Sequence, residues 1–357
     1  MPRKPLSSLT DQVADLLRHG ILAGRWRGTL PGRNRLADEM GCCHGTVERA
    51  MRILSEEGLL VSQGAGQRRR INLDGGAKKG RALRVVILLY EFSDQMTSYL
   101  IELVHRLQRA GHEAGFSTKS MVDLGMDAKR IARFVEATQA DAWVVISGPR
   151  DVLKWFEAKA IPAFALFGHS MRIPLASAGP KKAGALEELV DKLVDFGHQR
   201  IVMVVREDRR KPELGFLESL FLNRLEAHGI RTGSYNMPDW EDTPEALSHM
   251  IDSLFRVTPP TAIIIGDPMF LFPVVQQLAS RGISAPAQVS LACTDARPSY
   301  YWCNPNITHI AWDSKYVVKR VEGWAKNISL GKQDLRKGVT NARLVSGGTI
   351  GPLPKVK

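Results

Sequence analysis

His44, Thr46, Arg49 and Arg52 recur on one side of a short helical stretch, and together they could read duplex nucleic acid. An imidazole, a hydroxyl and two guanidinium groups can donate to base edges or neutralise phosphates. Arg33 and Arg35 stand on the preceding segment, and a Gly64-Ala65-Gly66 tip followed by Arg68 lies downstream. A second set of residues could hold a small polar ligand. Asp267 and Asp295 come directly after the apolar runs Ile263-Ile264-Ile265-Gly266 and Leu291-Ala292-Cys293-Thr294, and Phe92, Arg150, Phe167 and Arg209 also follow apolar runs. A carboxylate accepts hydrogen bonds from two sugar hydroxyls at once, while an aromatic ring packs on the C–H face of a sugar. Each Asp could equally be a helix N-cap. Trp240 and Trp312 could serve either as ligand walls or as packing.

The elements that must position the first set are short amphipathic helices. Leu36, Ala37 and Met40 make one apolar stripe, and Val47, Ala50, Met51 and Leu54 make another, both at a spacing near 3.6. A tight turn, Met40-Gly41-Cys42, joins them. Leu9, Val13, Leu16, Leu17 and Ile21 mark a helix upstream that Gly24 ends, and Leu59-Leu60-Val61 reads as a strand leading to the glycine-rich tip. This layout predicts a winged helix-turn-helix over residues 1–73, with its second helix in a DNA groove. Residues 74–81, with Gly75, Gly76, Gly80, Lys78 and Lys79, have the composition of a linker.

From residue 82 to 357 the pattern changes. Near-continuous apolar runs at 83–90, 142–147, 163–167, 200–205, 262–266 and 289–293 alternate with helical stretches at 99–110, 128–138, 183–196, 218–228 and 272–281. Such alternation predicts parallel sheets covered on both faces. The number of elements predicts two α/β lobes, with crossings expected near 198, 293 and 325, and a cleft beyond the carboxyl ends of the strands.

Charge agrees with a nucleic-acid partner. The 357 residues carry a formal net charge of +12, and residues 1–81 hold 15 Lys/Arg against 8 Asp/Glu. Phosphate neutralisation drives non-specific DNA affinity and makes it fall with salt. No apolar run reaches membrane-spanning length and no secretory leader is evident, so a soluble cytoplasmic protein without membrane contact is expected. Four cysteines, at 42, 43, 293 and 303, fit neither a disulfide framework nor zinc spacing, so no metal or other cofactor is expected. There is no GxxxxGK[ST] and no Gly-x-Ser-x-Gly elbow, so no catalytic residue is assigned. His198 reads as a structural hydrogen-bonding residue between a helix and a buried strand.

Residues 6–73 resemble the N-terminal domain of the GntR family of bacterial transcription regulators: the helix order, Leu30-Pro31, Glu57-Gly58-Leu59-Leu60 and the wing tip all correspond. The resemblance implies DNA contacts from Arg33, Arg35, His44, Thr46, Arg49, Gly66 and Arg68. Cys43-His44 stands where the family carries a Ser-Arg pair, and Glu48 where Arg is frequent. Residues 82–352 resemble the LacI-type effector domain, which is similar to periplasmic sugar-binding proteins. Gly197-His198-Gln199-Arg200-Ile201, Pro260-Thr261-Ala262-Ile263, Gly282 to Leu291 and Pro305-Asn306-Ile307-Thr308 carry that likeness in order. A GntR-type head on such a body is the arrangement of bacterial arabinose repressors. The resemblance implies a homodimeric repressor of a catabolic operon, bound to a double-stranded DNA operator and responsive to a sugar or sugar derivative. The effector contacts it implies are Asp295 and Asp267, with Arg209, Phe167, Arg150 and Phe92 after them. Arg209, Arg210 and Lys211 near the cleft would also tolerate a phosphorylated or acidic ligand. An activator, or an architectural DNA-binding protein whose body no longer binds ligand, is the alternative.

Overall fold

The apolar stripes read in residues 9–56 do close on one another in the computed structural model, which describes residues 9–56, 58–64, 67–72, 80–168, 170, 172–211 and 213–353. By its contacts the chain divides into two units, and residues 82–328 and 333–357 make the larger.

In the smaller unit, α1 (Leu9–Leu22), α2 (Arg33–Met40) and α3 (His44–Glu56) are followed by β1 (Leu60–Val61) and β2 (Arg70–Ile71). Val13, Leu17 and Ile21 of α1 meet Leu36 and Ala37 of α2 and Val47, Ala50, Met51 and Leu54 of α3 in one core. Leu9 and Leu16 do not join it and are exposed. Gly41 ends α2 in the left-handed region at φ +60°, and the Cys42 N–H returns to the Ala37 carbonyl at 3.1 Å. That conformation is free of a Cβ penalty only in glycine, so the turn between the helices depends on it. β2 pairs antiparallel with β1 and bridges back to Thr29, while the Leu30 N–H bonds the Arg69 carbonyl. These bonds form the wing beside α3.

The larger unit alternates strands and helices. Its first lobe contains β3 (Arg84–Leu88), α4 (Ser98–Arg109), β4 (Glu113–Phe116), α5 (Ala128–Ala137), β5 (Ala142–Ile146), α6 (Arg150–Ala158), β6 (Ala163–Leu166) and β7 (Ala176–Lys181). The second contains α7 (Ala183–Asp195), β8 (Ile201–Val204), α8 (Phe216–Ala227), α9 (Pro244–Val257), β9 (Ala262–Ile265), α10 (Leu271–Ser280), β10 (Ser290–Cys293) and β11 (Thr308–Trp312). The chain then returns with α11 (Ser314–Ser329), whose Val317, Val318, Val321 and Trp324 pack in the first lobe, and ends with β12 (Lys337–Val345). The strand order is β4-β3-β5-β6-β7-β12-β11-β10-β9-β8. All neighbours run parallel except β11 and β12. Strands such as β5, β6, β8 and β9 are buried along their whole length, as expected where helices cover both faces.

The crossings differ from those expected. Leu186, Leu189, Val190 and Leu193 of α7 already pack in the second lobe, so the chain changes lobes near 182, not 198. It returns near 313 and crosses again within β12 near 341, rather than near 293 and 325. The helix before the Gly-His motif is apolar enough to suit either lobe, so its sequence does not reveal the side on which it packs.

Asp334 fastens β12 to α11. Its side chain, 1% exposed, accepts from Arg320 at 2.8 Å, Arg336 at 2.9 Å and Asn327 at 2.8 Å. The Arg336 hydrogen bond leads the effects that hold its carboxyl below the usual range. Removing one partner of a buried charge network strands the others. Asp334→Ala should therefore lower stability by about 3 kcal/mol in thermal or urea denaturation, and an unchanged midpoint would refute this role.

Candidate DNA-reading face and ligand cleft

α3 begins at His44 and presents His44, Arg49 and Arg52 to solvent; the Arg49 Nε reaches the Gly45 carbonyl at 3.2 Å. Arg33 and Arg35 are exposed on α2, where the Arg35 Nε donates to Glu39 at 3.0 Å, and Arg68 is exposed on the wing. Gly66 lies outside the described residues. Thr46 departs from expectation. It is buried, and its Oγ1 lies 3.1 Å from the Cys43 Sγ. A hydroxyl placed there helps close the first turn of α3 and does not stand on the surface shared by His44 and Arg49. The bond to Thr46 leads the effects that lower the pKa of the exposed Cys43 thiol.

Glu48, at a position where the family often carries Arg, has a local partner. It is ion-paired with Arg69 of the wing, which also donates to the Ser55 Oγ at 3.3 Å. The pair ties the wing to α3. Arg33, Arg49, Arg52 and Arg68 remain as exposed cations, and Arg35, also exposed, is shared with Glu39.

In the larger unit, the carboxyl ends of the strands bring two clusters together. Asp295, just past β10, accepts from the Lys182 Nζ at 2.6 Å and from the Trp312 Nε1 at 2.8 Å. The Trp312 ring meets Phe167 edge-on at 5.3 Å and Tyr99 at 5.6 Å, and Tyr99 and Phe167 meet at 6.0 Å. Phe167 itself holds a left-handed φ of +65°, with Gly168 behind it at +72°. A Cβ on Gly168 would come within 2.7 Å of the Gly148 carbonyl oxygen, so the loops after β5 and β6 can approach only through glycine. Burial, with the Asp295 charge second, pushes the Tyr99 phenol well above its usual range. An aromatic wall thus stands beside a carboxylate.

The other cluster is built on Arg206, just past β8. Its Nε donates to Asp267 at 2.6 Å and its Nη2 to Glu91 of the first lobe at 2.8 Å. The guanidinium also lies 5.3 Å from the Tyr90 ring and 5.1 Å from that of Phe270. Burial works against this charge, but Asp267 and Glu91 more than offset it and raise its pKa. Asp267 additionally accepts from the Met269 N–H at 2.9 Å, so it caps the 3₁₀ turn after β9 as well.

The remaining candidates do not join these clusters. Arg209 is bonded to the buried Glu218 of α8 at 3.1 and 3.2 Å. Arg150 is exposed on the first turn of α6, and Phe92, half-exposed, stands beside Glu91. Trp240 is buried with its Nε1 on the Val205 carbonyl, which makes it a packing residue. His198 is buried between the Gly351 carbonyl and the Ser290 Oγ, a structural role. Glu91, Tyr99, Lys182 and Arg206 were not anticipated. The rule that found Asp267, the first polar residue past an apolar run, also finds Glu91 after Leu88-Leu89-Tyr90 and Arg206 after Val204-Val205.

Two family profiles match the chain: "Bacterial regulatory proteins, gntR family" over residues 9–67 and "Periplasmic binding protein-like domain" over residues 190–321. No curated protein matches. Among solved structures, a LacI family transcriptional regulator from Enterococcus faecium with bound ribose aligns at TM-score 0.61 and 15% identity, over 76% of this chain and 99% of that one. The transcriptional regulator CelR in complex with cellobiose aligns at TM-score 0.61 and 13% identity, over 90% of this chain and 100% of that one. The lac repressor dimer bound to operator aligns at TM-score 0.61 and 14% identity, over 76% and 95%. At these identities the likeness to solved structures is one of fold. With the head and body each placed, the chain is a transcription regulator that joins a gntR-type DNA-binding head to a periplasmic-binding-protein-like body with the fold of LacI-family regulators.

Proposed function

We propose that this regulator is a ligand-responsive repressor of a catabolic operon, acting in the cytoplasm as a homodimer on a double-stranded operator, with a sugar or sugar derivative as effector. Two heads related by a two-fold axis match a palindromic site and supply the affinity that one small head lacks. The observation that carries the effector reading is the Tyr99, Phe167 and Trp312 wall with Asp295 at its edge. Aromatic faces and a carboxylate together suit a sugar ring. The role is one of binding, with no catalytic step. Ribose and cellobiose in two structures of the same fold support a sugar.

The local charges narrow the class. Lys182 is taken by Asp295, Arg206 by Asp267 and Glu91, and Arg209 by Glu218. With these three cations already paired, a neutral polyol suits the cleft better than the phosphorylated or acidic ligand that the basic residues of the sequence suggested, and Arg297, near Tyr99, is the cation an acidic ligand would have to use. A thermal-shift screen of sugars and sugar phosphates on the full chain should give its hits among the neutral compounds. Asp295→Ala should lower affinity for such a hit roughly tenfold or more while operator binding persists, and an undiminished shift would remove Asp295 from the site. A gel-shift assay with the hit shows whether the ligand releases or tightens the operator, and transcription from the target promoter with and without the protein distinguishes a repressor from an activator.

On the head, Arg49→Ala should weaken specific operator binding by roughly 1–3 kcal/mol. Thr46→Ala should instead lower thermal stability and leave operator affinity unchanged. Equal gel-shift losses in the two variants would restore Thr46 as a DNA contact.

The cleft also titrates. Burial, with the Glu91 and Asp267 charges adding to it, pushes the Asp94 carboxyl up to about 6. A carboxyl raised in the folded state favours folding while protonated, so its contribution is present below its unfolded value and lost as pH rises through about 6. Relative to Asp94→Asn, the natural protein should lose up to about 3 kcal/mol between about pH 4 and 7. Parallel pH profiles of melting temperature for the two proteins would contradict it.

A further inference from the structure

Arg206 makes a contact that a second-lobe residue has no need to make for its own lobe. Asp267 and Phe270 already hold it there, yet its Nη2 continues to Glu91 across the cleft, and its guanidinium also lies against Tyr90 of the first lobe. The two strands concerned are far from the strand the lobes share: β8 is the edge of the sheet on one side, and β3 lies next to the edge on the other. Backbone pairing therefore cannot hold these rims together, and side chains must. The Arg206 side chain is only 10% exposed, so water competes weakly for its pairs. Glu91 is held in place by its own turn, with the Ser93 Oγ donating to it at 2.5 Å and its backbone N–H bonded to Asp94 at 3.1 Å.

We propose that Arg206 is a latch: gripped by Glu91 of the first lobe and by Asp267 on its own side, it holds the outer rims of the two lobes together. The latch rests on this geometry and not on the function proposed above, and the test below needs neither effector nor operator.

Hydrogen exchange on the full chain, read by mass spectrometry, distinguishes a latch from a residue that merely packs its own lobe. Arg206→Ala should speed exchange in the opposite lobe, in residues 89–97, and Glu91→Gln should speed it in 206–210 and 266–270, each by roughly 5- to 50-fold. The double variant should go little further. In Arg206→Ala, millimolar ethylguanidinium should restore protection of residues 89–97 by filling the place between the Tyr90 and Phe270 rings, whereas ethylurea should not. Changes confined to the mutated lobe, or equal rescue by the uncharged compound, would overturn the latch. Should Arg206→Ala fail to fold, Glu91→Gln decides alone, because it leaves Arg206 its Asp267 partner; unchanged exchange in 206–210 then refutes the proposal.

Discussion

One strand belongs to both lobes. Residues Lys337 to Asn341 of β12 pair in parallel with β7, and Ala342 to Val345 pair antiparallel with β11. Breaking either ladder would give up a run of consecutive backbone hydrogen bonds at once, which a single side-chain contact does not replace. The lobes are thus joined at the middle of the sheet order, and among the described residues the rims further out are tied by side chains. The buried Asp334 network serves this arrangement, because it fixes the approach to β12 from α11 of the first lobe.

The cleft side chains divide along the same line. Close to the shared strand, Lys182, Asp295 and Trp312 extend the ends of β7, β10 and β11 and join the crossings to the aromatic wall. At the outer rim, Arg206, Glu91 and Asp267 do the joining, with Tyr90 and Phe270 beside them. Partly buried ion pairs of this kind lose desolvation energy as well as gaining attraction, so their net contribution to stability is small while their dependence on geometry is steep. That combination suits groups that must separate and rejoin, and it is a poor one for a permanent core.

Much of this was legible in the sequence. The apolar runs that predicted β3, β5, β6, β8, β9 and β10 are found within a few residues of their expected places, because strands buried on both faces cannot tolerate polar interruptions. β4, β7, β11 and β12 were missed, β7 and β12 for the opposite reason. Ala176 to Lys181 offers small residues with a proline, and Lys337 to Val345 mixes charge with alternation, so neither reads as a buried strand although both are central. At the cleft, the types and positions of Asp267, Asp295 and Phe167 could be read from the chain, since a polar or aromatic residue past a strand end is visible there. Their partners could not: Lys182 is 113 residues from Asp295, and Glu91 is 115 from Arg206. Arg209 shows the limit of the same rule, for its charge is spent on Glu218 nine residues away.

In the head, the sequence predicted the elements and mistook one face. Thr46 and Arg49 lie three residues apart and so share a side of α3 on a helical projection. Yet Thr46 sits in the first turn, where the chain has just left the Gly41 bend and the Cys43 carbonyl accepts its N–H. There a short hydroxyl is covered by the turn that precedes it, whereas a long guanidinium one turn later extends clear of the surface. Glu48 follows the same logic in reverse: a carboxylate on an otherwise cationic face would repel phosphate, and Arg69 neutralises it while drawing the wing onto the helix. The DNA-facing charge of this head is therefore set as much by which residues are paired internally as by how many arginines the sequence contains.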